Sequence, residues 1–308
     1  MAREINAIPS TKKLIINFTP NGMIPTKEMT PHVPISPGEI AADVLKAAEL
    51  GASMAHIHAR NPDGTPTTDP EIFADIVKRI RAVNKEIIIC LTTSGRGENT
   101  FEKRSGVLRL TGDSKPDMAS LTLSSLNFNR TASVNSPDMV KSLAKCMLDN
   151  GIKPELEVFD IGMINYWHYL ISKGLLKPPY YVNLLLGNIA CAQADLINVG
   201  LMLRELPKDP HWSLAGIGNY LRAEIFYDSG IDPFCKLEDF TDQMLDALYE
   251  STHRIIKHSY KKIKADSYIN FKVYGREKCP KGNQILHIDR KGRRLWYCPN
   301  AIKFHCKK

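Results

Sequence analysis

The chain has 308 residues, 43% of them hydrophobic, and a formal net charge of +8. That is enough for a sizeable core in one large domain or two ordinary ones, and no apolar run reaches the ~18 residues that a membrane-spanning helix needs. Lys12 and Lys13 interrupt what a secretory leader would keep apolar, and seven cysteines, an odd number, fit reduced thiols in the cytoplasm better than a disulfide framework.

The first two hundred residues alternate apolar runs with helical stretches. LIINFT (14–19) reads as a buried strand, followed by a loop rich in proline. Ser36-Pro37 opens a helix to Leu50, because serine caps free N–H groups and proline suits the first turn. Further strands follow at 54–59, 86–93, 118–123, 156–161, 181–187 and 212–217, with helices at 69–83, 137–150, 162–173 and 192–206. Strands buried on both faces and alternating with helices imply a parallel sheet. Seven such strands make an α/β TIM barrel that lacks its own eighth strand–helix unit.

At Gly216-Ile217-Gly218-Asn219 the chain changes character. Residues 1–218 carry 23 Lys+Arg against 22 Asp+Glu; residues 219–308 carry 18 against 11, and from Ser251 onward the balance is 16 against 3. Two charge regimes suggest two modules, 1–218 and 219–308, with different partners. The second begins with helical spacing at 219–229 and 239–264. Short strands at 271–276, 283–289 and 293–298 follow, around turns at Gly275, Gly282 and Gly292.

His56 and His58 stand two apart on a strand, so both rings point to one face. In a barrel that face is the interior, and two imidazoles there begin a zinc site that needs a third ligand. Arg60 shares the face or starts the next loop. The stretches TPNGMIPTKEMTPHVPISPGEIA, GASMAHIHARNPDGTPTTD, EIIICLTTSGRG, MASLTLSSLNF, PELEVFDIGM and HWSLAGIG, in that order over about residues 13–218, resemble the β-keto acid cleavage enzymes. The resemblance implies a zinc-dependent TIM barrel that converts a β-keto acid and acetyl-CoA into acetoacetate and a new CoA ester. It implies His56 and His58 as zinc ligands, Thr92, Ser120 and Arg60 as substrate-binding residues, and Thr-Pro-Asn-Gly (19–22) as the first loop of the site. It also implies a homo-oligomer. The family takes its third ligand, a Glu, and a catalytic Asp from the end of strand eight. Here Glu238 and Asp239 stand near the expected spacing, with Phe234 where the family has an Arg.

GIGNYLRAEIFYDSGIDPFCKLEDFTDQMLDAL with FKVYGREKCPKGNQILHIDRKGRRLWYCPN, over about residues 216–304, resembles a different family, formamidopyrimidine-DNA glycosylase and endonuclease VIII. The resemblance implies a chimera whose second part is a mostly helical helix–two-turn–helix module with a β-hairpin finger. Asn219 and Arg293 would meet duplex DNA, and Lys291 and Arg294 would add phosphate contacts. Cys279 and Cys298 each lack the second Cys of a Cys-x-x-Cys pair, so the finger is expected without zinc, held by Leu286, Leu295, Trp296 and Tyr297. Cys306 with His287 or His305 has poor ligand spacing. Ala2 replaces that family's N-terminal proline nucleophile, so base excision is not expected. Two functions follow: a zinc-dependent β-keto acid cleavage enzyme, impaired if strand eight is missing, or a non-catalytic DNA-binding module.

Overall fold

The computed structural model describes residues 15–128, 131–194, 196–208, 210–215, 219–235, 239–264, 271–290 and 293–305. Two compact units emerge. One is Ile15–Cys191 with Leu206–Ala215; the other joins Ala192–Glu205 to the chain beyond Gly216.

In chain order the elements of the first unit are β1 (Asn17–Phe18), α1 (Pro37–Glu49), β2 (Met54–Ile57), β3 (Ala59–Arg60), β4 (Pro66–Thr67), α2 (Pro70–Arg81), β5 (Ile88–Leu91), α3 (Phe101–Ser105), β6 (Met118–Thr122), β7 (Leu126–Asn127), β8 (Ala132–Ser133), α4 (Pro137–Asp149), β9 (Lys153–Val158), α5 (Ile161–Ser172) and β10 (Tyr181–Leu185). Helix α6 (Leu196–Glu205) then belongs to the other unit, and β11 (His211–Ala215) returns to the first. Seven strands form one sheet in the order β1-β2-β5-β6-β9-β10-β11, every neighbouring pair parallel.

The sheet is rolled. Asn17 on β1 donates to Glu155 on β9 at 2.8 Å, although four strand spacings, roughly 19 Å in a flat sheet, separate them. A seven-stranded parallel barrel-like sheet is therefore present. Among the described residues no ladder joins β11 to β1.

Each strand presents alternate residues to opposite sides. Ala55, Ile57, Ile89, Leu91, Ala119, Leu121, Leu156, Val158, Val182 and Leu184 have no accessible surface and form the outer, apolar side. The residues between them face inward. Met54, Cys90, Met118 and Tyr181 pack together as a plug. Beyond the plug, toward the strand C-termini, the interior turns polar.

The helices start where capping chemistry allows. Ser36 and Glu39 form a reciprocal capping box at α1, and Pro37 occupies its first turn. Asp69 caps α2, Ser136 caps α4 and Asp160 caps α5, each by a side-chain bond to a backbone N–H. Asp160 explains one correction. The strand expected at 156–161 runs instead from Lys153 to Val158, because Asp160 is spent on opening α5.

The second unit contains α6, α7 (Asn219–Ser229), α8 (Asp242–Lys264) and a hairpin of β12 (Leu286–Arg290) and β13 (Arg293–Tyr297). The helix expected at 192–206 as a barrel element thus packs on α8. Residues 271–276, expected as a strand, form a turn. Buried Glu224 of α7 explains why: its carboxylate accepts the N–H groups of Lys272 (2.8 Å), Val273 (2.8 Å) and Tyr274 (3.0 Å), which a ladder would otherwise need. In the hairpin, Leu295 is buried and Trp296 packs against the cluster of Ala223, Val273, Cys279, Ile285 and Cys298. Tyr297 meets Phe234 edge-on at 4.9 Å, whereas Leu286, expected to pack, is 43% exposed. Gly216-Ile217-Gly218, Glu238, Lys291, Gly292 and Cys306 lie outside the described residues.

Replacing Glu224 by Ala strands three N–H groups, and the expected cost is about 3 kcal/mol. Hydrogen exchange checks it: the amides of residues 272–274 should lose protection in Glu224→Ala, and unchanged protection would refute the carboxylate's role.

Candidate active site

The inward polar positions are His56 and His58 from β2 and its end, Cys90 and Thr92 from β5 and its end, Ser120 and Thr122 from β6, and Glu155 and Glu157 from β9. Register sets them level. His56 pairs with Cys90, Ser120 with Glu155, and Thr122 with Glu157.

Glu155 is the hub and has no accessible surface. Its Oε2 meets His56 Nδ1 at 2.5 Å and accepts the Cys90 thiol at 3.1 Å. Its Oε1 accepts Asn17 Nδ2 at 2.8 Å and Asn183 Nδ2 at 3.5 Å. On the other edge of the ring, His56 Nε2 lies 3.2 Å from His58 Nε2.

The protons follow from this arrangement. Burial opposes charge on His56, but the charge of Glu155, its hydrogen bond and the charge of Glu157 outweigh burial and raise the imidazole to about 9. His58 moves down, through burial and then the charges of His56, Arg96 and Arg60. His56 is therefore an imidazolium, donating from Nδ1 to Glu155 and from Nε2 to neutral His58. The proton of neutral His58 then sits on Nδ1, a buried atom with no hydrogen-bond partner in the structure. Burial pushes the Cys90 thiol up, and Glu155 adds to it, so Cys90 stays protonated. Burial also disfavours charge on Glu155, yet His56 and its other donors hold that carboxyl down. Glu157 goes the other way: burial raises it, with Glu155 adding to the rise against the charge of His56, and Thr122 donates to it at 2.5 Å.

Three groups could ligate a metal within one small radius: His56, Cys90 and Glu155. The chemistry favours a different edge. Glu155 is occupied with Nδ1 and three further donors, and Cys90, one of them, is a thiol. The Nε2 atoms of His56 and His58 converge, and a carboxylate on the far nitrogen orients a metal-binding imidazole in the usual way.

The hydroxyls stand at the strand ends. Thr92 accepts the N–H of Ser94 at 3.1 Å, and Ser120 accepts that of Thr93 at 3.0 Å, which leaves both hydroxyl protons to donate. Thr92 borders a small, partly open cleft with Met23, Thr67, Ser94, Lys103 and Arg104. The turn after β5 is tight: a Cβ on Gly95 would come within 2.5 Å of Asn99 Oδ1. Arg96 follows, its guanidinium stacked 3.9 Å over the Phe128 ring and within charge range of Glu157 and His58.

Arg60, expected to bind substrate, ends β3 with its guanidinium against loop carbonyls. Its guanidinium donates to the carbonyls of Gly64 (2.9 Å), Pro25 (3.2 Å) and Gly22, fastening the first loop over the barrel mouth. Asn21 of the same loop donates to the carbonyls of His58 and Pro34 at 3.1 and 3.3 Å. Glu238, the expected third ligand, lies outside the described residues, and Asp239 belongs to the second unit. Asn219 opens α7 and Arg293 opens β13. The sequence reading missed Glu155, Glu157, Cys90 and Arg96. Glu155-Leu-Glu157 carries the same two-residue spacing as the histidines, and that spacing was the available signal.

The histidine pair and the carboxylate behind it gather toward the C-terminal ends of the parallel strands, where barrel enzymes carry their active sites. The chain belongs to the beta-keto acid cleavage enzyme family, whose match spans residues 13–224. It is 34% identical over 211 residues to a 3-keto-5-aminohexanoate cleavage enzyme of Fusobacterium nucleatum, covering 68% of this chain and 75% of that one. It is 35% identical over 211 residues to a 3-oxoadipate:acetyl-CoA acetyltransferase of Cupriavidus necator, covering 68% and 72%. The solved ternary complex of ObcA with a C4-CoA adduct and oxalate aligns over 76% of this chain at TM-score 0.50 and 19% identity, a likeness of fold alone; the chain spans half the length of ObcA. A Lactococcus lactis formamidopyrimidine-DNA glycosylase aligns over 30% of this chain and 36% of its own at TM-score 0.26 and 25% identity, too slight to bear on the fold.

The His56–Glu155 pair gives metal-free protein a pH signature. A raised imidazole stabilises fully below its unfolded value near 6.5, and the contribution fades as pH rises to about 9. With a chelator present, the urea midpoint should fall between pH 6.5 and 9.5 in the wild type. It should fall less in His56→Gln, and equal slopes would refute the pair.

Proposed function

We propose that the barrel unit is a zinc-dependent β-keto acid cleavage enzyme that takes a β-keto acid and acetyl-CoA to acetoacetate and a new CoA ester. The observation that carries this reading is the convergence of the His56 and His58 Nε2 atoms, with Glu155 behind them, in a chain of this family. The donor set fits zinc: two imidazoles, one already oriented by a carboxylate. Lewis-acid polarisation of the keto oxygen is the chemistry such an ion supplies when bound.

The chain's own residues do the rest. Thr92 and Ser120 present hydroxyl protons to the keto acid at the strand ends. Glu157 is half-buried, its carboxyl is raised by burial, and it lies within charge range of His56, which suits a general base. Arg96 offers a guanidinium to a carboxylate at the mouth, its face already held by Phe128. Uptake of the ion must displace the proton that His56 shares with His58, so it releases acid and weakens as pH falls. The relatives named above act on 3-keto-5-aminohexanoate and on 3-oxoadipate, and those two acids are the first substrates to try.

Purified protein should carry about one zinc per chain and form acetoacetate from acetyl-CoA with at least one of these acids. His56→Ala and His58→Ala should each remove the metal and at least ~100-fold of kcat/KM. Stoichiometric zinc in both variants would sink the ligand assignment, and an acetoacetate-free wild type loaded with zinc would sink the reaction.

A second reading rests on a separate observation, the antiparallel hairpin of Leu286–Arg290 and Arg293–Tyr297 in the basic segment. This unit would bind duplex DNA through phosphate contacts, Asn219 and Arg293 among them. Binding should weaken steeply with salt, and Arg293→Ala should lower the salt slope by about 1. An unchanged slope and affinity would remove Arg293 from the interface.

A further inference from the structure

Arg104 of α3 is 2% exposed, and four acceptors hold its guanidinium. Nε donates to the Thr93 carbonyl at 2.8 Å. One terminal nitrogen donates to Asn99 Oδ1 at 3.1 Å and to the Val134 carbonyl at 3.4 Å, and the other donates to Asn135 Oδ1 at 2.8 Å. All four acceptors are neutral. Glu157 acts on Arg104 only through space, because its carboxylate is bonded to Thr122. A guanidinium carries five N–H groups, so one on the last nitrogen has no acceptor among the described residues. A buried cation that no carboxylate touches is costly, and a counter-ion from outside the chain relieves the cost.

Arg104 lines the small cleft that Thr92 borders, with Lys103 exposed at its edge. Among the described residues that line it, these two cations stand against one carboxylate, that of exposed Glu98. Buried Phe73 and Val107 supply an apolar wall. Arg96 lies outside this lining, stacked over Phe128. An apolar wall that leads to excess positive charge suits a short methylene chain ending in an anion.

β-Keto acids share one carboxylate and differ in the distal group. A distal ammonium would add a third cation beside Arg104 and Lys103. A distal carboxylate would supply the counter-charge and accept the free N–H. Arg104 is already fixed by its four bonds, so taking up that carboxylate requires no further ordering of the guanidinium.

We propose that Arg104 and Lys103 form a subsite for a second, distal carboxylate, so that this chain takes β-keto dicarboxylic acids in preference to amino-bearing ones. The proposal rests on the reading of Thr92 as a residue that holds the keto acid. With the keto end at that hydroxyl, the methylene chain runs along Phe73 and Val107. The distal carboxylate meets Arg104, and the Lys103 ammonium stands at the rim.

The test is isothermal titration calorimetry of the zinc-supplied protein with 3-oxoadipate and, separately, with 3-keto-5-aminohexanoate, both without acetyl-CoA. The dicarboxylate should bind at least ~10-fold more tightly. Lys103→Glu should shrink that ratio about tenfold. Arg104→Gln should abolish the preference. Because the readout is a ratio of two affinities, a loss of folded protein common to both ligands cancels. Equal affinities, tighter binding of the amino-bearing acid, no binding of either acid, or a ratio unmoved in both variants would overturn the subsite, even in a protein that forms acetoacetate. A charge-selective ratio in a protein that forms no acetoacetate once acetyl-CoA is added would uphold the subsite and sink the reaction instead.

Discussion

A carboxylate with no accessible surface must be compensated from all sides, and Glu155 shows how far that demand reaches. Its two oxygens collect Asn17 from the first strand, His56 from the second, Cys90 from the third and Asn183 from the sixth strand of the sheet. Four strands must therefore curve until their inward side chains meet one residue. Rolling the sheet and satisfying the carboxylate are one requirement. The apolar shell outside and the Met54–Cys90–Met118–Tyr181 plug below supply burial, while the polar network determines which way round the barrel is filled.

The same carboxylate decides the state of the histidines. Holding His56 protonated makes it a donor to His58, so the two Nε2 atoms are brought together before any ligand arrives. An ion that replaces the shared proton finds both nitrogens converging. The cost is an unpartnered Nδ1 on His58 and an unpartnered Nε on Arg60, both buried. Such orphans are uncommon in well-packed interiors.

Much of the barrel was legible in the sequence. Seven apolar runs gave seven parallel strands, and Ser36-Pro37 marked the start of α1. His56 and His58 were legible because spacing alone puts them on one face. Glu155 and Glu157 obey the same rule, but the run was started at Leu156, where the hydrophobic signal begins, which left Glu155 outside the expected strand and Glu157 without its pair. Hydrophobicity finds the outer side of a barrel strand and is blind to its inner side. The backbone contacts of Arg60 escape a local reading for a related reason: its three carbonyl partners lie 35–38 and four residues away. Glu224 likewise captures the backbone of 272–274 from nearly fifty residues upstream, which turned an expected strand into a turn.

The strict alternation of β9 has a consequence for assembly. Glu155 and Glu157 face in, Leu156 and Val158 face out. A slip of one residue against β6 or β10 would exchange the two sets, driving both carboxylates under the helices and two aliphatic side chains into the polar interior. Each misplaced carboxylate would cost several kcal/mol. The neighbouring strands repeat the device with His56 against Ala55 and Ile57, and Cys90 against Ile89 and Leu91. Side chains arranged for chemistry thereby act as a proofreading mark for folding: only one alignment of the strands lets all of them be neutralised at once.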